Sequence, residues 1–238
     1  MERPGRFIMV DGMTGSGKST VINAVQTWAQ SCDHTIFSLN DWQQDEPPRF
    51  EDIPDYDIYF TYEPTRTWVG RAIRYELSRA DQPYGGEELA HAFALDRQIM
   101  YRRLIIPALQ AGKMIIQDRG VSSSLVYQPV MPDSVPLETV KALPGNALAL
   151  EHAPDALILT KLSAQIAHTR LQTRAGDSKG VFMNLDFLKK QEERFASTWL
   201  KELFEQHGSK LFTLDTSGTM EESRQAATDL IDHILTTC

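Results

Sequence analysis

Short apolar runs alternate along the chain with longer segments in which apolar residues recur every three or four positions. This alternation is typical of parallel strands joined by helices that cover the sheet. It predicts an α/β fold with an open, doubly wound, five-stranded parallel sheet flanked by helices. The predicted strands are 6–10, 57–62, 113–117, 156–160 and 210–214. The predicted helices are 18–30, 67–80, 87–111, 163–175, 186–207 and 219–236, with short helical pieces at 136–142 and 146–152.

Two local patterns qualify this scheme. Thr219 and Glu222 stand three positions apart at the start of the last predicted helix, which is the spacing of a capping box. Residues 40–57 interrupt the alternation and hold seven carboxylates, three prolines and one Arg. Charged, proline-rich stretches usually run over the surface, so this segment is predicted to be an exposed, solvated insertion loop.

Composition narrows the class of protein. A chain of 238 residues suits one α/β domain, so a single domain is expected over residues 1–238. The net charge of -8 argues against DNA or another polyanion as the main ligand. The cysteines, Cys32 and Cys238, are far apart, and neither a leader peptide nor a membrane-spanning apolar run is visible. A soluble, cytoplasmic protein is therefore expected.

The stretch DGMTGSGKST, residues 11–20, follows the first predicted strand and leads into the first predicted helix. Its G-x-x-x-x-G-K-S spacing is that of a P-loop, in which backbone N–H groups and the positive end of a helix hold phosphates. It predicts a P-loop NTPase-type fold that binds ATP, with Lys18 on the β and γ phosphates and Ser19 on Mg²⁺. The motif alone leaves open a switch, a transporter subunit and a kinase. The predicted ATP-binding residues are Gly12, Thr14, Gly15, Ser16, Gly17, Lys18, Ser19 and Thr20.

Asp118 and Arg119 stand together at the end of the strand predicted at 113–117. A carboxylate at this end of a strand is where a P-loop site meets its metal ion, so Asp118 is the second predicted Mg²⁺ ligand. The guanidinium of Arg119 can hold a second anion. Since a switch that only hydrolyses its nucleotide has no need of a second anion, the pair predicts a phosphorylated acceptor.

With these residues in place, the chain resembles the thymidylate kinases, which are nucleoside monophosphate kinases of the P-loop class. The resemblance runs over nearly the whole chain, with the motifs in matching order and spacing. It implies transfer of the γ-phosphate of ATP to dTMP, giving dTDP and ADP, in dTTP synthesis. The matching motifs are GMTGSGKST at 12–20, YEPTRTWVGRAIR at 62–74, AFALDR at 92–97, DRGVSSSLVYQ at 118–128, PDALILTKLSAQIAHTRLQTRAG at 154–176 and LFTLDTSG at 211–218.

The resemblance also implies roles for the acceptor site. Phe93 resembles the ring that stacks on thymine, and Arg97, four residues on and on the same helix face, the arginine that reaches the base or the acceptor phosphate. Arg119 resembles the arginine that grips the dTMP phosphate. Ser123, Ser124 and Tyr127 match a loop along the base and sugar, where the aromatic residue helps to exclude a ribose 2′-hydroxyl. The implied acceptor-binding residues are Glu63, Arg66, Arg74, Phe93, Arg97, Arg119, Ser123, Ser124 and Tyr127, with Arg66 and Arg74 favoured over Arg71. Adenine contacts at 215–219 and a homodimer are implied as well.

The chain departs from the family in its P-loop. Some members carry an arginine two or three residues before the lysine, where this chain has Gly15 and Ser16. The catalytic cation is therefore predicted to come from a mobile lid at about 174–185 and the helix before it. The predicted catalytic residues are Lys18, Arg119, Arg170 and Arg174, with Arg174 preferred over Arg170 and Lys179 as a further cation, and Gly176 and Gly180 flank the segment.

Other departures concern acceptor recognition and the lid. Thr14 stands where a carboxylate is usual, Tyr62 replaces an arginine and Gly120 replaces an aromatic residue, while the DRFE stretch common downstream is missing. Two alternatives stay open. One is a deoxynucleoside kinase, although Asp118-Arg119 with Arg66 and Arg97 supplies more positive charge than a neutral acceptor requires. The other is a non-catalytic nucleotide-binding regulator that uses residues 40–57 as an interaction surface.

Overall fold

The computed structural model describes residues 4–79, 82–174 and 184–237, and a parallel β-sheet forms its centre. In chain order the strands are β1 Arg6–Asp11, β2 Ile36–Ser38, β3 Ile58–Tyr62, β4 Met114–Asp118, β5 Ala156–Lys161 and β6 Lys210–Asp215. They stand in the order β2-β3-β4-β1-β5-β6, and each neighbouring pair is parallel. The predicted α/β class and its five strands are confirmed. The count is corrected to six because β2, with three residues, is too short for an alternating pattern to reveal.

Helices cover both faces of the sheet. Most begin and end within a few residues of their predicted bounds, and the predicted capping box is formed, since Glu222 accepts from Thr219 N at 2.7 Å and Thr219 accepts from Glu222 N at 3.2 Å. The helices are α1 Lys18–Ser31, α2 Trp68–Ala72, α3 Gly86–Met100, α4 Ile106–Gln110, α5 Val121–Tyr127, α6 Leu137–Ala142, α7 Pro144–Glu151, α8 Ala164–Arg174, α9 Leu185–Phe195, α10 Thr198–Gln206 and α11 Met220–Thr237.

Three predicted helical segments are interrupted. The one at 67–80 passes from α2 into a π-helical turn at Ile73–Leu77. The one at 87–111 contains a second π-helical turn, Tyr101–Ile105, just before Pro107, which has no N–H to continue the regular hydrogen-bond pattern. The one at 186–207 ends at Phe195 and starts again after Ser197, whose extended backbone begins α10. Apolar residues keep their helical spacing across these interruptions, so the sequence did not predict them.

The sheet is buried on both faces. Along β1, Phe7 and Met9 point into a core shared with α3, α4, α5, α7, α9 and α10, while Ile8 and Val10 point into a second core shared with α1 and α11. Near-continuous apolar strands are expected of a parallel sheet covered on both sides. Strand β1 lies in the middle of the sheet, and the chain adds β2, β3 and β4 on one side of it and then β5 and β6 on the other. Open α/β sheets bind ligands at the carboxyl ends of the strands where this change of side occurs.

The acidic segment 40–57 is only partly the solvated loop that was predicted. Its seven carboxylates are exposed, but Pro47 and Pro48 are buried, and rings from the segment pack against Phe37 and Tyr59 at the sheet edge. Asp45 pairs with Arg71 at 2.7 Å and Glu46 with Arg103 at 2.8 Å. The segment therefore covers the β2 edge. Over the ranges that the structure describes, none of the helices has the length and apolar character needed to cross a membrane.

Candidate active site

The P-loop links β1 to α1 and is shaped by glycines with positive φ. Gly15 has φ of +83°, and a Cβ there would lie 3.0 Å from the Leu171 side chain and 3.1 Å from the Ala167 carbonyl of α8. A larger residue would therefore push the loop away from α8. The N-terminus of α1 follows directly, so the positive end of its dipole points into the loop.

Lys18 lies beneath this loop. Its side chain is buried, and Nζ donates to the carbonyls of Gly12 at 3.0 Å and Met13 at 2.8 Å. Burial and the nearby Arg119 lower the pKa of Lys18 to about 7, against the attraction of Asp11 and Asp118. A cation held under a loop of backbone amides is arranged to meet an anion with more than one negative charge.

A cavity of about 370 Å³ opens beside α1 and contains the predicted metal ligands, Ser19 and Asp118. We call it the junction cavity. Asp118 Oδ1 is buried and has no hydrogen-bond partner among the residues that the structure describes, and burial raises the pKa of this carboxyl. A buried carboxylate oxygen without a donor is costly unless a cation or proton meets it. Oxygen ligands of this kind suit Mg²⁺, so the residues present fit that ion.

Asp11 joins the P-loop to the next part of the site, and its role was not predicted. The carboxylate is fully buried and accepts from Ser122 Oγ at 2.5 Å, from Ser123 Oγ at 2.9 Å and from Gly12 N at 2.7 Å. Arg119 Nη1 lies 3.8 Å away. The position of Asp11 at the carboxyl end of the first strand, directly before Gly12, was the available signal.

A second cavity, of about 480 Å³, lies next to the P-loop, and we call it the large cavity. It brings together every residue that the sequence predicted for the acceptor. Thr14 and Met131 also line it. The predicted residues on its wall are Glu63, Arg66, Arg74, Phe93, Arg97, Arg119, Ser123, Ser124 and Tyr127.

The segment that carries the last three of these residues is a helix, α5, and not the loop that was expected. Val121, Leu125 and Val126 are buried at helical spacing, which was a usable signal. The three serines between them obscured it, since serine favours turns in isolated sequence. As a result Ser123 and Tyr127, four residues apart, share one face and both contact Arg119, at 3.3 and 3.2 Å.

Arg97 is held by protein groups on the inner wall of the large cavity. Its side chain is buried, Nη2 lies 2.5 Å from Glu63 Oε2, and Nη1 donates to Asn146 Oδ1. Nη2 also donates to the Gly120 carbonyl at 3.1 Å and to Ser124 Oγ at 3.0 Å. These contacts tie α3, α5 and α7 together, so Arg97 supports the wall of the large cavity, and its predicted contact with the base or the acceptor phosphate stays a prediction.

Breaking the Glu63–Arg97 pair should destabilise the fold. Glu63→Gln would leave the Arg97 charge buried without its carboxylate, and the free energy of unfolding should fall by about 3 kcal/mol. Glu46→Gln is the matched control, because Glu46 is 52% exposed in its pair with Arg103, and its loss should cost less than about 1 kcal/mol. Urea unfolding of both variants measures the difference. Equal stabilities for the two variants would contradict the structural role of the pair.

Arg66, Arg74 and Arg119 line both the large cavity and the junction cavity, so they stand where the two spaces meet. Arg66 and Arg74 also lie over the ring of Tyr62, with their guanidinium carbons 5.9 and 5.3 Å from its centroid. Tyr62 thus provides a face on which both cations rest. Arg71, in contrast, is exposed and paired with Asp45. The sequence favoured Arg66 and Arg74 over Arg71 as ligands of the acceptor.

A third cavity, of about 160 Å³, adjoins the P-loop on its other side and is lined by Gly17, Thr20, Arg170 and Thr216. The Arg170 guanidinium donates to the Thr216 carbonyl at 2.9 Å. This contact ties Arg170 to the segment predicted for adenine, and its predicted catalytic role stays a prediction. Arg174 ends α8, and its side chain lies outside the described part of the structure, as do Gly176, Lys179 and Gly180.

Packing against β1 accounts for the glycine at position 120. A Cβ at this position would lie 2.4 Å from the Met9 Cε atom and 2.7 Å from its Sδ atom. Because Met9 lies on a buried face of β1, a larger residue after Arg119 would require the end of the Met9 side chain to move. The sequence also did not reveal the roles of Asn146, which accepts from Arg97, and of Thr160, whose hydroxyl oxygen lies 2.6 Å from Ser16 Oγ in the P-loop.

A parallel α/β sheet with a P-loop at its central strand, a carboxylate at the end of the adjacent strand and an arginine-lined second cavity defines a P-loop nucleotide kinase. A family model described as thymidylate kinase matches residues 52–227. Thymidylate kinase of Caldicellulosiruptor saccharolyticus is 29% identical over 97% of this chain and 98% of that protein. Probable thymidylate kinases of Pyrococcus abyssi, 27% identical over 97% and 98%, and of Caldivirga maquilingensis, 30% identical over 79% and 77%, are also similar. The chain belongs to the thymidylate kinase family.

Proposed function

We propose that this chain transfers the γ-phosphate of ATP to dTMP, with Mg²⁺ as the metal ion. One observation carries the proposal: Arg66, Arg74 and Arg119 stand between a cavity that holds the predicted metal ligands and a cavity lined by the predicted acceptor residues. An acceptor whose phosphate lies among these arginines would face the donor phosphates on the P-loop. The family membership agrees with this reading.

The donor side is assigned to the P-loop and its neighbours. The loop amides and Lys18 bind the β and γ phosphates, which replace the loop carbonyls as partners of Nζ. Ser19 and Asp118 would hold Mg²⁺, which when bound neutralises charge on the donor phosphates. The small cavity beside Gly17 and Thr216 takes the adenine ring.

The acceptor side uses Arg119 as its main phosphate ligand. The guanidinium is fixed by Ser123, Tyr127 and Asp11, so it can present a rigid fork of donors to a phosphate. Phe93 offers its ring to thymine from the wall of the large cavity. Arg66 and Arg74 add charge at the point where the acceptor oxygen meets the γ-phosphate. Arg170 and Arg174 stay proposed as the cations that neutralise the transferred group, Arg174 first.

The test of this function is a panel of acceptors in a coupled assay for ADP. Purified protein, ATP and Mg²⁺ are combined with dTMP, dUMP, dCMP or no acceptor, and the nucleotide products are separated and identified. Formation of dTDP only when dTMP is present supports the proposal. ATP binding without formation of any nucleoside diphosphate would instead support a regulator that uses nucleotide binding alone.

Assembly as a homodimer is proposed on the resemblance alone, and light scattering coupled to gel filtration tests it. The cytoplasmic location predicted from the sequence stays a prediction.

A further inference from the structure

Helix α9 contacts three parts of the site through side chains that lie within one turn. Gln191 Oε1 accepts from the Thr14 backbone N–H in the P-loop at 3.2 Å. Glu192 Oε2 accepts from the backbone N–H of Ala164, at the start of α8, at 2.8 Å. Arg194 Nη2 donates to the carbonyl of Leu125 on α5 at 2.7 Å. Helix α9 is thus hydrogen-bonded to the P-loop, to α8 and to α5.

The same helix also fixes the ring of Tyr127. Phe187 and Phe195, both on α9, meet this ring edge-on, with centroids 6.1 Å away and interplanar angles of 72° and 77°. Edge-to-face contacts of this kind favour one ring orientation. The hydroxyl of Tyr127 is therefore held in a defined place on the wall of the large cavity.

A continuous run of hydrogen bonds leads from α9 to the arginine assigned to the acceptor phosphate. Gln191 holds the Thr14 amide, the Thr14 hydroxyl is 3.2 Å from the Tyr127 hydroxyl, and Arg119 Nη1 donates to that hydroxyl at 3.2 Å. Thr14 is the position at which the family usually has a carboxylate. In this chain the neutral Thr14 hydroxyl occupies it, and Gln191 holds the backbone N–H of the same residue.

Packing alone does not account for a glutamine at position 191. The side chain is fully buried, and within the described part of the chain its Nε2 has no hydrogen-bond partner, which is unfavourable. An apolar side chain of the same length would fill the space without that penalty. What the amide supplies is an acceptor for the Thr14 N–H. Moreover, a cavity of about 280 Å³ lined by Met13 and Phe195 separates part of α9 from the end of β5, so close packing does not fix this region throughout.

We propose that Gln191 is a positioning residue: by holding Thr14 it places the Tyr127 hydroxyl, and through that hydroxyl it orients Arg119 toward the acceptor phosphate. Gln191 does not line the large cavity, and it acts without touching the acceptor. The inference rests on the proposed function, because it is the acceptor phosphate that gives the orientation of Arg119 its purpose.

The test compares Gln191→Met, which keeps the length of the side chain and removes the acceptor oxygen, with wild type. The KM for dTMP should rise about tenfold, while the KM for ATP should change less than about twofold. Gln191→Glu keeps an oxygen for the Thr14 N–H and should hold the KM for dTMP within about threefold of wild type. Gln206→Met, at an exposed position on α10, is the matched control and should behave as wild type.

A double-mutant cycle with Tyr127→Phe separates positioning from general structural support. If Gln191 acts through the Tyr127 hydroxyl, Gln191→Met should change the KM for dTMP less than about twofold in the Tyr127→Phe background. Full additivity of the two substitutions, or equal rises in the KM for dTMP and for ATP, would overturn the inference. Failure of wild type to phosphorylate dTMP would overturn the proposed function instead, whereas an active wild type with an unchanged Gln191→Met variant would overturn the positioning role only.

Discussion

Replacing Lys18 by methionine is expected to lower kcat by about 10³-fold or more while leaving the protein folded. Phosphoryl transfer depends on neutralising charge on the transferred group, and loss of a single preorganised donor commonly costs 10²- to 10³-fold. Lys18 is the cation directly beneath the P-loop, where Nζ lies within 3.0 Å of two loop carbonyls. Methionine fills nearly the same volume, so the buried space around it should not collapse.

Stability should change little in this variant, because removing a buried ammonium also removes the cost of burying it. Lys201→Met is the matched control, since Lys201 is exposed on α10 and its pair with Glu205 is a surface pair of 3.7 Å. Steady-state rates and thermal unfolding of the two variants make the comparison. A Lys18→Met protein that is folded and keeps more than about a tenth of the wild-type kcat would exclude the proposed P-loop role.

Replacing Arg119 by lysine is expected to lower kcat/KM for dTMP by about 10²-fold. The substitution keeps the charge but loses the planar fork that can hold a phosphate through two parallel hydrogen bonds. It also loses the contacts to Ser123 and Tyr127, at 3.3 and 3.2 Å, that fix the direction of the guanidinium. The KM for ATP should change less than about threefold, because Arg119, although it lines both cavities, is held by Ser123 and Tyr127 on the wall of the large cavity.

Arg71→Lys is the matched control for this prediction. Arg71 is exposed and pairs with Asp45 in the acidic segment, so the kinetic constants of this variant should stay within about twofold of wild type. Equal losses in the two variants, or a loss at Arg119 that falls on ATP rather than on dTMP, would show that Arg119 does not serve the acceptor.

Much of the fold could be predicted because its signals are local. Helices cover the sheet on both faces, so each strand appears in the sequence as a short continuous apolar run. The P-loop is defined by the spacing of residues within one short segment. Features that depend on distant parts of the chain were missed. Strand β2 is short, and Ser122 and Ser123 of α5 donate hydrogen bonds to Asp11, more than a hundred residues earlier, a contact that no local pattern shows.

In the candidate site, too, local features could be predicted and contacts between distant residues could not. The sequence identified nine of the residues that line the large cavity, because the family resemblance carries their order and spacing. It did not reveal that Arg97 is held by Glu63 and Asn146, since those contacts join α3 to residues 34 and 49 positions away. Gln191 was missed for the same reason, because its partner Thr14 lies 177 positions earlier. Pairings across such distances follow from the packed fold and not from any local pattern.

The proposed function requires an acceptor that carries a phosphate, and a comparison of dTMP with thymidine measures that requirement. Both have the same base and sugar and differ only in the phosphate, so the ratio of their kcat/KM values isolates the contribution of Arg66, Arg74 and Arg119. With ATP and Mg²⁺ in excess, we expect phosphorylation of dTMP and no detectable product from thymidine. Phosphorylation of thymidine without phosphorylation of dTMP would contradict the proposed function and identify a deoxynucleoside kinase.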